Sequence, residues 1–412
     1  MGLYRVDPAT LEPLPGVEPL ITADGVSGYS SPNGQWLALH VWSASTLQNL
    51  ALVMESSTGE IVTEKSGILG DFLGVGDDGV VYQMLYSQFR GHTLRRLVPG
   101  AERYQDVDVD FPKEFRYQVA TFLGPQRIAM LGSFGEDPED QVVGVVVVDL
   151  KALETTTHLI HGLTAGNVAE MDLGDWSLTE TVQPVAIWDS GGDRVIFVHG
   201  DEDAVTTLDL STGAKETHWW SSSASWLGSL FAWLIPPAQA KGPSEYGVAR
   251  SAALGQSGQW LYVGTSVSEV VIESDEDWYI EHTPQGVEVV NTETWQVAHR
   301  WDIPASEISA SPDGRHVVAS GTTWTESLTT SSVQTKDVFI IDADTHEVVG
   351  QFPAFEAWHD VQFSPDGDYA YLGTCCGGGR FDIVDLESLE VVARSEHGTL
   401  FGDALLFATE QP

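Results

Sequence analysis

Ser311-Pro-Asp-Gly-Arg-His-Val-Val-Ala-Ser320 and Ser364-Pro-Asp-Gly-Asp-Tyr-Ala-Tyr-Leu-Gly373 share one plan, offset by 53 residues from Asp313 to Asp366. Each begins with a turn in which Pro fixes the backbone at the second position, Asp can bond back to the chain, and Gly accepts a left-handed conformation. Each continues as an alternating apolar strand. A second strand ending in Asp, a short turn and a third strand then follow, as Val338-Phe-Ile-Ile-Asp-Ala-Asp-Thr-His-Glu-Val-Val349 and Phe381-Asp-Ile-Val-Asp-Leu-Glu-Ser-Leu-Glu-Val-Val392. A period of this length fits a four-stranded antiparallel unit repeated along the chain.

Working outward, similar strand–turn–strand units open at Ser31-Pro-Asn-Gly34, Gly76-Asp-Asp-Gly79, Gly124-Pro-Gln-Arg127, Ser190-Gly-Gly-Asp193 and Gln256-Ser-Gly-Gln259. Their partner strands run into Met54-Glu-Ser-Ser-Thr-Gly-Glu60, Leu97-Val-Pro-Gly-Ala-Glu102, Val148-Asp-Leu-Lys-Ala-Leu-Glu154, Leu208-Asp-Leu-Ser-Thr-Gly213 and Val290-Asn-Thr-Glu-Thr-Trp295. With the first two, that makes seven units of strands a, b, c and d. Two pieces remain. Residues 2–15 read as strands c and d of a further unit, and Asp403-Ala-Leu-Leu-Phe-Ala-Thr409 as its strand a. Pairing the termini in one sheet would remove exposed edges. The expectation is therefore an all-β chain, residues 1–412, forming a single β-propeller of seven complete blades plus a closing blade shared by the termini. A seven-bladed ring with the end pieces as a clasp is the alternative. The Ser-Pro-Asp-Gly units followed by IIDADTHEVVGQF and IVDLESLEVVARS resemble the YVTN and WD40-like β-propeller superfamily, well over 285–400 and thinly over 65–280. The Gly-His and Trp-Asp dipeptides of WD40 repeats are missing at the expected places, which points to a bacterial or archaeal YVTN-type propeller. Such a resemblance implies a fold and no particular reaction.

Composition narrows the function. There are 19 Lys and Arg, only six of them Lys, against 60 Asp and Glu, for a net charge of −41. Nucleic acid is excluded as a partner, because phosphate binding needs a basic stripe. At 42% hydrophobic with 14 Trp, the chain can still bury a large core. The acidic, Lys-poor surface suits an extracellular or high-salt setting, and ordinary acidic solubility explains it as well. No signal peptide and no membrane-spanning apolar run is visible. The expected location is extracellular or periplasmic, after removal of a leader, with the cytoplasm as the alternative.

The a–b and c–d turns are all short, whereas the long insertions at 104–115, 133–141, 161–180, 220–246, 266–285, 321–336 and 373–380 fall on b–c and d–a connections. Function concentrates in loops carried by a rigid scaffold, so this face is the expected working face. Within 220–246, Trp226, Leu230, Trp233 and Leu234 share one helical face, as in a lid packed on its own blade, with a partner-docking element or a membrane-surface anchor as alternatives. Residues 267–284 read as a long hairpin with an acidic tip.

Few residue patterns carry chemistry. Gly74-Val-Gly-Asp-Asp-Gly79 matches a phosphate-loop string but leads into a strand, which removes the helix N-terminus that such a loop needs. Asp106, Asp108 and Asp110 put three carboxylates on one side of an extended stretch, as candidate Ca²⁺ ligands or as charges that block edge pairing. The acidic loops Glu136-Asp-Pro-Glu-Asp140 and Asp201-Glu-Asp203 read as solvated, with a Ca²⁺ ion at one of these loops as the alternative. The histidines form no HxH or HxxxH pair, so no zinc site is expected. His359, in Ala357-Trp-His-Asp-Val361, precedes an inner strand and is a candidate for ligand contact, or a hydrogen-bonded core histidine. In Thr374-Cys-Cys-Gly-Gly-Gly-Arg380, adjacent Cys375 and Cys376 can close a vicinal disulfide ring or stay as thiols. That loop is similar to the quinoprotein alcohol dehydrogenases, whose vicinal disulfide stacks on pyrroloquinoline quinone; the resemblance implies that quinone and Ca²⁺ as cofactors. Asp209-Leu-Ser-Thr-Gly-Ala-Lys-Glu-Thr-His-Trp219 resembles their Trp-docking repeat with the Trp displaced.

The expected function is a non-catalytic binding module. Its protein or small-molecule partner would sit on the long-loop face, contacted by Trp324, Trp358 and His359, with Arg380 binding an anion and Cys375 and Cys376 as a rigid wall. A quinoprotein-like or lactonase-like enzyme with its site at the channel mouth is the alternative.

Overall fold

The computed structural model describes residues 2–3, 21–22, 25–31, 33–43, 48–66, 71–87, 91–112, 115–123, 126–135, 142–164, 166–172, 177–182, 184–189, 193–220, 245–255, 258–274, 277–326, 331–353, 360–364, 366–373 and 381–395. Among them lie seven consecutive sets of four antiparallel strands, spanning 25–66, 71–107, 115–160, 185–219, 245–301, 307–352 and 360–395. These are blades one to seven. Every a–b and c–d turn read from the sequence falls between the strands expected of it. Gly2–Leu3 pairs with Ile21–Thr22; the rest of the proposed closing blade, 403–409 included, lies outside the described residues.

The core lies between blades. Among the described residues six hydrophobic clusters occur, and each is shared by two consecutive blades, from blades one and two through to blades six and seven. Strand geometry explains this, since successive side chains point to opposite faces. In blade three, Ile128 and Met130 enter the cluster shared with blade two, while Ala129 and Leu131 enter the one shared with blade four. Hence central strands such as Arg127–Phe134 and Val142–Asp149 are apolar almost throughout. The d strands carry the water-facing edge: in Lys215–Trp219 no residue is fully buried.

Two repeated turns fix the rims. In the a–b turns, Ser311 Oγ donates to Asp313 Oδ1 at 2.6 Å and accepts from His316 N at 3.0 Å. Ser31 and Ser364 make the same pair of bonds, to Asn33 and Trp36 N and to Asp366 and Tyr369 N. These turns also join neighbours: Asn33 N donates to Asp77 at 2.9 Å, Arg127 grips Asp193 with two bonds at 2.6 and 3.2 Å, and Arg315 reaches Asp368 at 3.3 Å.

In the c–d turns a side-chain oxygen at the end of strand c accepts from the amides two and three residues on. Asp149, Asp209, Asn291, Asp342 and Asp385 all do so, at 2.7–3.0 Å. The fifth residue of each of these turns is left-handed, and only Gly213 is a glycine there; Leu153, Trp295, His346 and Leu389 have φ of 53–59°. Two of those side chains offset the strain with contacts to a neighbouring blade. Trp295 stacks on His218 of blade four at 4.7 Å, and His346 meets Trp260 of blade five edge-on at 4.6 Å.

Candidate functional site

The long-loop face holds three extra hairpins. One, Gly166–Asp172 with Ser177–Val182, lies between blades three and four. The second extends blade five: Trp260–Ser274 and Asp277–Asn291 are each 15 residues long and stay paired to Ser274↔Asp277. The expected long hairpin at 267–284 is thus present. The third, Thr322–Glu326 with Ser331–Thr335, is inserted in blade six. Its two ends meet at the base, where Lys336 N donates to Gly321 O at 2.9 Å.

The second and third hairpins join. Asp277–Asn291 pairs with blade five's own strand d along 287–291, and beyond it with the blade-six insertion, as Ile280↔Glu326, Glu281↔Thr325 and His282↔Trp324. A strand extended past its blade leaves unpaired backbone groups that water or another strand must satisfy. Here a neighbouring blade supplies the partner, so a six-stranded sheet runs from Glu245–Leu254 to Ser331–Thr335 across two blades. The backbone of Trp324 sits at this seam.

A polar cluster occupies the same face between blades four and five. Arg250, with only 8% of its side chain exposed, donates to Asp203 Oδ1 at 2.8 Å and to Glu202 O at 2.9 Å. Its guanidinium lies 5.7 Å from the ring centre of Trp220, within cation–π range. Trp220 is buried and donates from Nε1 to Glu288 at 2.9 Å, and Arg300 lies 3.5 Å from the same carboxylate. Beside them, in the b–c loop of blade four, His199 is buried. Its Nε2 lies 2.8 Å from Thr206 Oγ1, which is 2.9 Å from Thr217 Oγ1. Burial is the chief influence on this imidazole and holds its pKa below the usual histidine value; nearby Asp201 opposes the shift and Arg250 adds to it.

Of the residues singled out from sequence, Trp358, His359, Cys375, Cys376 and Arg380 lie outside the described residues, as does the 226–234 segment. Asp106 is exposed and paired with Arg95 at 3.0 Å, on the outermost strand of blade two. Asp108 and Asp110 are exposed beyond the end of that strand. Among the described residues, the one group of three metal-ligating side chains that converges is His199, Asp201 and Glu202. Arg250, Trp220 and Glu288 escape a reading of the sequence, because they come from separate segments and carry no local signal. His199 did have one, in His-Gly-Asp-Glu-Asp203. A mostly apolar pocket of about 120 Å³ between blades three and four is lined by residues such as Leu131, Trp188 and Phe197, with no acidic or basic side chain among its lining residues.

No family model and no curated protein matches the chain. Solved structures do. Dihydro-heme d1 dehydrogenase NirN in complex with DHE is 13% identical, with a TM-score of 0.51, over 90% of this chain and 66% of its own. Oligogalacturonate lyase in complex with manganese is 12% identical, with a TM-score of 0.49, over 86% of this chain and 88% of its own. An oligogalacturonate lyase from Vibrio parahaemolyticus is 10% identical, with a TM-score of 0.46, over 86% and 89%. At such identities the likeness concerns fold alone. The chain is a β-propeller protein, with four-stranded antiparallel blades packed face to face. Among the described residues, no helix is long and apolar enough to cross a membrane.

Proposed function

We propose that this β-propeller is a binding module that engages a protein or small-molecule partner on its b–c/d–a face, at or near the seam between blades five and six. The observation that supports this reading is the sheet built by two insertions from different blades. Neither insertion is needed to complete a four-stranded blade, and their pairing holds a broad surface in place before any partner arrives. Such preorganisation lowers the ordering cost of binding. Trp324 lies on this seam, and Trp358, His359, Cys375, Cys376 and Arg380 belong to loops assigned from sequence to the same face. The acidic, Lys-poor composition supports an extracellular or periplasmic setting.

The test uses glycan and peptide arrays probed with the intact chain and with a variant whose residues 322–335 are replaced by Gly-Ser. The expected result is ligands that bind without turnover and are lost in the variant while its circular dichroism falls by no more than the two removed strands account for. Equal binding by both proteins would overturn the assignment to this surface. Conversion of a bound ligand, followed by mass spectrometry, would favour the enzyme reading instead.

A further inference from the structure

In the b–c loop of blade four, a ring nitrogen of His199 and one carboxylate oxygen each of Asp201 and Glu202 lie within 4.8 Å of one another, with Nδ1 on the side of Glu202. Acidic groups on a protein of net charge −41 are commonplace, and their proximity alone means little. The histidine is what sets this group apart. Only 1% of its side chain is exposed, and Nδ1 has no hydrogen-bond partner among the described residues. The nearest acceptor, Glu202 Oε2, is 3.7 Å away, beyond hydrogen-bonding distance. An unmet polar atom forfeits its hydration; His40, His158, His316 and His346 also carry such a ring nitrogen, but among the described residues His199 alone converges with two carboxylates.

The other side of the ring shows how Nδ1 can be a donor of electrons. Thr206 Oγ1 can accept from Nε2–H while passing its own proton toward Thr217 Oγ1. That hydroxyl pair would leave the lone pair on Nδ1, facing the two carboxylates. Metal-bound histidines use the same device, with the far nitrogen donating to an oxygen that fixes tautomer and ring orientation. The loop is also held from behind. His199 N donates to Ala204 O at 3.0 Å, and Trp220 N to Asp203 O at 3.0 Å. Arg250 takes Asp203 and the main-chain oxygen of Glu202, leaving the side chains of Asp201 and Glu202 outside its grip.

We propose that His199 Nδ1, Asp201 and Glu202 bind a first-row divalent transition-metal cation such as Zn²⁺, with open positions toward solvent. One imidazole with two carboxylates suits Zn²⁺ and its neighbours in the series, whereas Ca²⁺ and Mg²⁺ prefer oxygen alone. Donors around such an ion sit roughly 3–4 Å apart at metal–ligand distances near 2.1 Å. Both carboxylates are exposed and can close that span by rotating. The ion would clamp a loop of the long-loop face and offer exchangeable sites there to an oxygen-bearing ligand. The proposal stands apart from the binding-module reading, since its three ligands come from one loop of blade four and none from the seam between blades five and six.

Chelator-treated protein titrated calorimetrically with Zn²⁺ in about 0.5 M NaCl tests it, because salt suppresses diffuse attraction to the acidic surface. The expected result is one saturable equivalent, weakened at least tenfold in His199→Gln and in Asp201→Asn/Glu202→Gln, and unchanged in Asp106→Asn/Asp108→Asn. If the buried His199→Gln variant fails to fold, the double variant at the two exposed carboxylates decides the matter. Undiminished one-equivalent binding in the carboxylate variant, weak binding of many equivalents only, or a preference for Ca²⁺ over Zn²⁺ would each overturn the assignment.

Discussion

Replacing Asp342 by Ala and by Asn separates two explanations of the c–d turns. Asp342 Oδ1 accepts from Asp344 N at 3.0 Å, Thr345 N at 2.7 Å and Thr345 Oγ1 at 2.9 Å. Loss of such an acceptor resembles loss of a helix N-cap, which costs about 1–2 kcal/mol. Blade five performs the comparison internally. There Asn291 Oδ1 takes Glu293 N at 3.0 Å, Thr294 N at 2.9 Å and Thr294 Oγ1 at 3.2 Å without a charge. Acceptor geometry therefore suffices, and charge adds strength to bonds already made. Asp342→Asn should cost about half as much as Asp342→Ala. The magnitude chooses the assay. At about 2 cal/mol/K per residue, unfolding all 412 residues as one unit carries an entropy of about 0.9 kcal/mol/K, so even the Ala variant would move the melting temperature by only about 2 °C. Urea titration and native-state hydrogen exchange at the Asp344 and Thr345 amides resolve such differences locally. Equal losses in the two variants would refute the acceptor argument in favour of charge. No loss in Ala would show that the bond from His346 N to Asp342 O, at 2.9 Å, holds the turn by itself.

Two further outcomes follow from the turns. Gly367→Ala should destabilise more than Gly34→Ala in urea by about 1–3 kcal/mol: both glycines are left-handed, but a Cβ at Gly367 would lie 2.6 Å from Asp313 Cγ, whereas at Gly34 nothing lies within 4 Å. Equal losses would mean that only backbone strain matters. Acid should destabilise the fold late, because turn amides and hydroxyls hold Asp209 at about 2, and similar bonds depress Asp342, Asp366 and Asp385. A carboxylate depressed in the folded state stabilises above its unfolded pKa of about 3.9, and that contribution fades as pH falls toward the folded value. Urea midpoints in about 1 M NaCl, where surface repulsion is screened, should drop between about pH 4 and pH 2, and a flat profile there would contradict the turn bonds.

The blades were legible because each repeats the same local chemistry. Ser-Pro-Asp-Gly, or a shortened relative, marks strand a from strand b, and in blades three to seven Asp or Asn four residues before a left-handed one marks c from d. Both signals lie within about six residues, where one sequence can show them. The hairpin at 267–284 was equally readable, since alternation continues on both sides of its acidic tip. The hairpin within 321–336 was seen only as an insertion. Its strands, Thr-Thr-Trp-Thr-Glu326 and Ser-Ser-Val-Gln-Thr335, offer little apolar contrast, and their partner at 280–282 belongs to another blade, far back along the chain. The cluster around His199 was missed for a related reason. The sequence shows the acidic loop, but the histidine beside it is enclosed by Thr206 and Trp219, which strand pairing within blade four brings to it and no spacing rule records. The lack of HxH and HxxxH pairs speaks to pairs of histidines alone.

The seam between blades five and six bears on how such a ring can diversify. A b–c loop that touches only its own blade's rim can lengthen or shorten on its own. At the seam, a two-residue change between residue 282 and the rim of blade five, or between residues 321 and 324, would slide Glu281 away from Thr325, whereas a change at either tip leaves these pairs in place. The two insertions are therefore bound to a common register at their bases, and surviving variants should alter those bases together while the tips vary freely.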